Sequence, residues 1–448
     1  MASAFESKGG RDPKGVKLVF RTLRYRNYRL FFGGQLISVI GTWMQTVAVT
    51  WLVYRLTNSV FLLGIVGFAG QLPAFIFSPF AGVIADKMNK HRIVIITQTL
   101  SMIQAIILAV LTMSGIIAVW HIIVLSVFLG AINAFDMPTR QSFLLEMIEN
   151  KEDIGNAIAI NSSMFNSARL LGPSIAGIVI AAIGEGLCFL LNALSYVAVI
   201  LALLAMKLPA RPKSTKSETG VLEGFTEGFR YISGFLPIRN ILLLLALVSL
   251  LGMPYAVLMP VFARDILHGG PNTLGFLMGA TGVGALSGAL ILASRKSVVG
   301  LVKWIPAAAV VFGLGLIGFS YSRTMLLSLA LLVVTGFGMM VQMASSNTIL
   351  QTVVDDDKRG RVMSFYTVSF VGMVPFGSLM AGSVATVIGA PYTVLLSGVL
   401  CILGGALFAN QLPALKEKIQ PVYARLGISP LISSGIEAAS ELTGNPEE

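Results

Sequence analysis

The sequence is short of charge: Asp, Glu, Lys and Arg make up 12% of its 448 residues, about half the share of a soluble domain. With 55% apolar residues, that deficit excludes the soluble globular class. Cysteine is nearly missing as well. Cys188 and Cys401 each fall in an apolar stretch, so neither a disulfide framework nor a thiolate metal cluster is indicated, and both read as small buried hydrophobes. The three histidines, His91, His121 and His268, are too scattered to form a metal site, and no cofactor is expected. There is no G-x-x-x-x-G-K-[ST] loop to cradle phosphates, and no Ser, His and Asp set falls where a nucleophile could be activated. A nucleotide-driven motor and a hydrolase are therefore excluded, and the chain is read as a non-enzyme. Its energy must come from a gradient or from the substrate itself.

Long apolar runs are what the sequence has instead. A run of about 20 residues crosses the roughly 30 Å hydrocarbon layer as a helix, because only intrahelical bonds satisfy the backbone there. Twelve such spans are expected, over 28–54, 60–84, 93–113, 117–137, 154–182, 187–206, 239–262, 273–293, 304–321, 325–347, 362–388 and 391–410. The fold class is all-α and integral to a membrane.

The turns from odd to even spans are short, as in "RLTNS", "SGI" and "IGEG", whereas the even-to-odd turns are longer and charged. Nearly all Lys and Arg fall on the second side, with Arg55, Arg264 and Arg323 at the opposite turns. Cytoplasmic segments keep basic residues. Both termini are therefore expected in the cytoplasm, in a multi-pass protein of a plasma or bacterial inner membrane. The net charge of +11 is accounted for by topology and anionic inner-leaflet lipid, so no nucleic-acid partner is expected. Residues 1–27 are polar and basic without an apolar stretch, so span 1 is expected to serve as an uncleaved anchor.

Residues 207–238 divide the spans six and six. The expected organisation is a tail (1–27), a six-helix bundle (28–206), a linker (207–238), a second bundle (239–410) and a second tail (411–448). Within the linker, Leu222, Phe225, Phe229 and Ile232 recur at helical spacing, the pattern of an amphipathic helix on the inner membrane face. The two bundles read as repeats. A shift of 205 residues superposes Gly155, Gly172, Gly177 and Gly184 on Gly360, Gly377, Gly382 and Gly389. A duplicated six-span bundle in parallel orientation is a transporter architecture with its path between the halves.

A charge inside lipid costs several kcal/mol unless paired or hydrated. Arg169 is the one charge deep in a span, about 22 Å from the inner end at roughly 1.5 Å per residue. It is either an anchor for an anionic or carbonyl-rich substrate or a lock onto carbonyls of neighbouring spans. Asp136, near the inner end of span 4, is either an ion-pair partner of Arg140 four residues on or a proton carrier; Pro138 between them puts helical continuity in question. No carboxylate sits in mid-membrane. Polar residues form stripes: Gln35, Ser38, Thr42, Gln45 and Thr50 on span 1, with Trp43 and Trp51 nearby; Ser162, Asn166, Arg169 and Pro173 on span 5; Gln342, Ser345 and Ser346 on span 10. These either line a substrate cavity or bond between helices. "QLPAFIFSPF" and "GMPYAVLMP" mark bends in spans 2 and 7.

The turn "GVIADKMNKHR" after span 2 resembles the loop motif of the major facilitator superfamily, G-x-x-x-D-[RK]-x-G-x-[RK]-[RK]. Gly82, Asp86, Lys87 and Arg92 match; Asn89 and His91 depart from it. "FDMPTRQSF", "ARLLGPSIAG" and "LMPVFARDIL" are similar to the drug and siderophore efflux branch. "SARLLGPSIAG" also resembles the superfamily's antiporter motif, with Gly172, Pro173 and Gly177 in place and Ala168 and Ala176 replacing glycines. The resemblance implies the major facilitator fold, two six-helix pseudo-repeats, and alternating access. It implies too a latch in which Asp86 pairs with a basic residue of span 4, for which Arg140 is the candidate, and meets the start of span 11 near Gly360 and Arg361. The expected function is proton-coupled export of hydrophobic or amphipathic small molecules of drug or siderophore type, by a monomer in the lipid bilayer. A lysophospholipid or other solute transporter, or a receptor that does not translocate, stays open as an alternative.

Overall fold

A computed structural model describes residues 21–207, 221–295 and 297–428, with backbone alone for 78–87, 151, 221–225 and 356. Twelve helices among these are long and apolar enough to cross a membrane. They are span 1 (Arg26–Thr57), span 2 (Val60–Lys87), span 3 (Lys90–Met113), span 4 (Val119–Glu146), span 5 (Ile154–Ile183) and span 6 (Glu185–Leu204). The second set is span 7 (Leu236–Ile266), span 8 (Pro271–Ala293), span 9 (Leu301–Tyr321), span 10 (Met325–Val353), span 11 (Asp357–Ile388) and span 12 (Ala390–Asn410). No strand occurs among the described residues. With twelve crossings, the start of span 1 and the end of span 12 lie on one face, called the tail face below; the opposite face is the far face.

Each half packs as its own bundle. In the first, span 1 lies against spans 5 and 6, span 3 against 4 and 6, and span 2 against 4. In the second, span 8 lies against 10, and span 9 against 10 and 12. Lipid tails give helices no hydrophobic drive to associate, so close backbone approach through small residues carries the packing. Gly284 of span 8 thus abuts the Val333 carbonyl of span 10, and Gly313 of span 9 abuts the Gly398 carbonyl of span 12, with no room for a side chain.

The glycine repeat has a structural meaning. Gly184 and Gly389 close spans 5 and 11 with φ of 84° and 83°, a backbone region that side chains disfavour. Gly172 abuts span 1 at Trp43 and Ile40, and its counterpart Gly377 abuts span 7 at Leu250 and Pro254. Gly177 meets span 8 at Pro271 and Gly275, and its counterpart Gly382 meets span 2 at Val60 and Gly64. Spans 5 and 11 therefore do the same two jobs in each repeat: one glycine packs within the half, the next packs across to the other half.

Span 7 is the least regular. It contains π-helical turns at Val248–Gly252 and Phe262–Ile266, and span 11 contains one at Val368–Gly372. The first sits just before Met253–Pro254, where a proline cannot donate its backbone bond; such bulges recur at functional places in helices. The bend expected from "GMPYAVLMP" is thus an inserted residue in the helical ladder. Span 4 runs unbroken through Pro138, which answers the question of continuity between Asp136 and Arg140. At the tail face, Asp153 forms an ion pair with Arg21 (2.6 Å) and accepts from Arg24 (2.7 Å) and Tyr25 (2.6 Å), tying the entry of span 1 to the start of span 5.

Candidate functional site

Two seams join the halves. Along the first, Gly275, Gly279 and Gly282 of span 8 lie on Pro173, Gly177, Ser174 and Leu170 of span 5. Along the second, Gly64 and Gly67 of span 2 lie on Ser378 and Gly382 of span 11, and Phe376 packs edge-on to Phe68 and Phe75. Both seams start at the far face. The first ends at Leu170 and Gly282, near the middle of each helix, and the second ends at Phe75 and Gly372.

Polar contacts close the same face. The Tyr54 hydroxyl at the end of span 1 donates to Asp265 of span 7, and Arg264 donates to the Asn58 side chain while lying over the Tyr54 ring. Asn58 takes a left-handed φ of 50°, which asparagine tolerates, and so turns its side chain to the other half. Toward the tail face Ser162 and Ser163 of span 5 are exposed. An added Cβ at Gly155 or Gly360 would meet nothing within 4 Å. The contacts described between the halves gather toward the far face.

Arg169 sits where the span 5–span 8 seam ends. Its backbone carbonyl lies beside Gly282, and its guanidinium lies 5.6 Å from the centre of the Trp43 ring. Its Nε is buried without a hydrogen-bond partner, and among the described residues no carboxylate pairs with it. The alternative of an arginine locked onto carbonyls therefore finds no bond to rest on. Gly172 is what brings the tryptophan there: an added Cβ would lie 2.5 Å from the Trp43 Cβ. Asn166, one turn toward the tail face, donates to the Ser162 carbonyl at 3.0 Å.

Most of the span 1 stripe goes elsewhere. Gln35, Ser38 and Gln45 are buried inside the first bundle, so the cavity-lining expectation is corrected for them. Gln45 donates to Gln104 of span 3 (3.0 Å) and accepts from Asn192 of span 6 (2.8 Å). Gln35 accepts from Arg140 of span 4 at 2.8 Å. The Thr42 hydroxyl bonds back to the Ser38 carbonyl at 2.9 Å and lies 3.5 Å from the Tyr196 hydroxyl. Gln342 and Ser346 are likewise buried, Ser346 donating to the Gln342 carbonyl at 2.7 Å. A buried polar group without a partner costs about 1–3 kcal/mol, so Gln45, Gln104 and Asn192 turn toward each other and tie spans 1, 3 and 6 together.

Asp136 lies in the same interior. One carboxylate oxygen accepts from Thr97 (2.7 Å) and Gln98 (2.9 Å) of span 3, and the other faces Arg140 at 3.3 Å. Arg140 also lies over Phe165 of span 5. One ion pair thus touches spans 1, 3, 4 and 5.

Comparison with known proteins agrees with this architecture. The profile of a family described as transmembrane secretion effector matches residues 19–434. The chain belongs to this family of major facilitator transporters. The transporter is 28% identical over 409 residues to the staphyloferrin A transporter of Staphylococcus aureus, covering 90% of this chain and 100% of that one. It is 27% identical to the multidrug efflux pump Tap of Mycolicibacterium fortuitum, covering 84% and 93%. Among solved structures it matches a bacterial homolog of the human lysosomal transporter Spinster, inward-facing and occupied, with a TM-score of 0.69, 12% identity and coverage of 89% and 98%. A POT family transporter in complex with a thioalcohol-conjugated peptide matches with a TM-score of 0.68, 12% identity and coverage of 87% and 96%. These likenesses establish a multi-pass membrane transporter with this fold.

The loop motif of this transporter is only partly in view. The side chains of Gly82, Asp86 and Lys87 lie outside the described residues, as do those of Leu222 and Phe225. Asn89 caps span 3 by accepting from the Arg92 amide at 3.2 Å, so the departure from glycine gives a helix cap. Arg361, expected at the latch, is held by Glu227 of the linker helix (Val221–Gly234) at 2.7 Å, with Lys358 at 3.6 Å from the same carboxylate. In the same interface burial pushes the Tyr231 phenol above its ordinary pKa, with Asp355 adding to the rise. The antiporter-motif residues Gly172, Pro173 and Gly177 form the contacts of span 5 with spans 1 and 8. Tyr54, Asn58, Arg264 and Asp265 were not among the expected site residues; their one sequence signal was Arg264, a basic residue on the wrong side for topology.

Proposed function

We propose that the protein exports amphipathic small molecules, of the drug or siderophore type, by alternating access driven by a proton gradient. The observation that carries this reading is the asymmetry of the seams: both lie at the far face, both stop near mid-depth, and Arg169, which no carboxylate pairs with among the described residues, sits where the first one stops. Basic-residue topology assigns the tail face to the cytoplasm. The described state is then inward-facing, ready to take substrate from the cytoplasm or the inner leaflet. The name of one relative, a multidrug efflux pump, supports export over uptake.

In the return state the bundles 28–206 and 239–410 rock as bodies: the far-face seams open and the tail face closes. Asp86 closes that face against Arg140 and the start of span 11, where a helix N-terminus carries about half a positive charge. Asp136 is the proton site. Its protonation neutralises the partner of Arg140 and frees that guanidinium for the Asp86 carboxylate, so proton binding and latch closure compete for one arginine. Function is carried by the monomer, in the cell membrane.

The test is transport by purified protein in proteoliposomes with an imposed pH gradient, using a panel of amphipathic dyes, siderophores and lysolipids. Dye or siderophore flux that collapses with a protonophore is expected. Flux confined to lysolipids, or flux indifferent to the gradient, overturns the substrate class or the coupling respectively.

A further inference from the structure

We infer that Arg169 and Trp43 form a subsite for the carboxylate of an amphipathic organic anion, which deepens the export reading above and rests on it. An arginine at mid-depth is costly unless something balances it. Among the described residues no carboxylate pairs with Arg169, and its Nε has no hydrogen-bond partner. The other basic groups near the lipid core are engaged. Arg140 has Asp136, Arg55 has Glu185 at 2.7 Å, and Arg264 has Asn58. Arg169 has no such partner among the described residues.

The surroundings specify the class further. A guanidinium presents a planar fork that matches a carboxylate with two parallel bonds. One positive charge with no second cation beside it balances a single carboxylate better than a dianionic phosphate. The Trp43 ring lies 5.6 Å from the guanidinium, giving a flat apolar wall against which the rest of the ligand can stack. The Arg169 backbone carbonyl lies beside Gly282 of span 8, so the subsite adjoins the other half. Gly172 holds Trp43 against span 5 one turn from Arg169, and Gly282 holds the Arg169 backbone against span 8. A ligand bound here touches the end of the very seam that must open, which is where binding can bias the two states.

The experiment measures binding of three isosteres to purified protein in detergent: a naphthyl-alkyl carboxylate, its primary amide and its trimethylammonium analogue. The carboxylate is expected to bind about tenfold more tightly than the amide, the ratio lost with a charge-assisted hydrogen bond, and the cation least. Arg169→Gln should bring carboxylate and amide to the same affinity, and Arg169→Lys should keep the order with a smaller ratio. Trp43→Leu should weaken carboxylate and amide alike. Equal affinities in the wild-type protein overturn the subsite without any variant. An undiminished ratio in Arg169→Gln overturns it too. Amide flux in vesicles with no preference for the carboxylate leaves export standing and removes the subsite. Arg169-dependent carboxylate binding with no flux of any isostere leaves the subsite standing and removes export.

Discussion

Gly275→Ala isolates the mechanical role of the seam between halves. An added Cβ there would lie 2.4 Å from the Pro173 carbonyl oxygen and 2.9 Å from the Gly177 Cα. Both obstacles are backbone, so spans 5 and 8 must part. Span 8 packs within its own half through Gly284 and Gly288, on the opposite side of the helix, so the methyl burdens only the contact between halves. Overpacking of this kind costs about 1–3 kcal/mol. If the seam exists only in the far-closed state, that cost falls on one state and shifts the equilibrium toward the far-open state by about 5- to 150-fold. Ser378→Cys supplies the probe. Ser378 is fully buried in the second seam, and the native Cys188 and Cys401 are buried as well, so background reaction is low. Reaction with a membrane-impermeant maleimide from the far side should accelerate in Gly275→Ala, up to saturation. An unchanged labelling rate, in protein that melts at the parental temperature, would mean that the seam does not separate during the cycle.

Three further outcomes test other parts of the account. Tyr54→Phe removes one hydrogen bond of the far-face closure, a change of about 0.5–1.5 kcal/mol, and should raise the same labelling rate several-fold; no change would reduce the Tyr54–Asp265 contact to decoration of a surface. Asp136→Asn leaves Arg140 without its buried partner, which costs about 3–5 kcal/mol: the melting temperature should fall, gradient-driven flux should vanish, and substrate exchange without a gradient should persist. Retained gradient-driven flux would remove Asp136 as the proton site. Asp86→Asn should lose most transport while still reaching the membrane, and wild-type flux in that variant would eliminate the latch.

The twelve spans were legible because a helix in lipid must be long and apolar, and span 5, expected over 154–182, is Ile154–Ile183. Span 7, expected over 239–262, runs from Leu236 to Ile266, extended by a second π turn through Arg264 and Asp265 that periodicity does not encode. The glycine register between spans 5 and 11 was readable as a repeat, yet which partner each glycine meets depends on helices far away in the chain. Periodicity put Gln35, Ser38 and Gln45 on one face of span 1 but could not say that spans 3, 4 and 6 cover it. Arg169 stood out because its cost in lipid is a property of the residue alone. Its neighbour Trp43 did not, since that approach is created by Gly172 across a helix pair. The Tyr54–Asp265 contact joins residues 211 apart, and only folding brings them together.

The claim at the centre of this account is that closure alternates between the two faces, and two distances measured in the same protein test it most directly. Spin labels at Ile183→Cys and His268→Cys report the far face; labels at Asn150→Cys and Ser294→Cys report the tail face. Double electron–electron resonance on protein in nanodiscs, across pH and with a transported dye, should give two populations for each pair, the far-face distance lengthening as the tail-face distance shortens. One population for each pair that neither pH nor dye moves would contradict it.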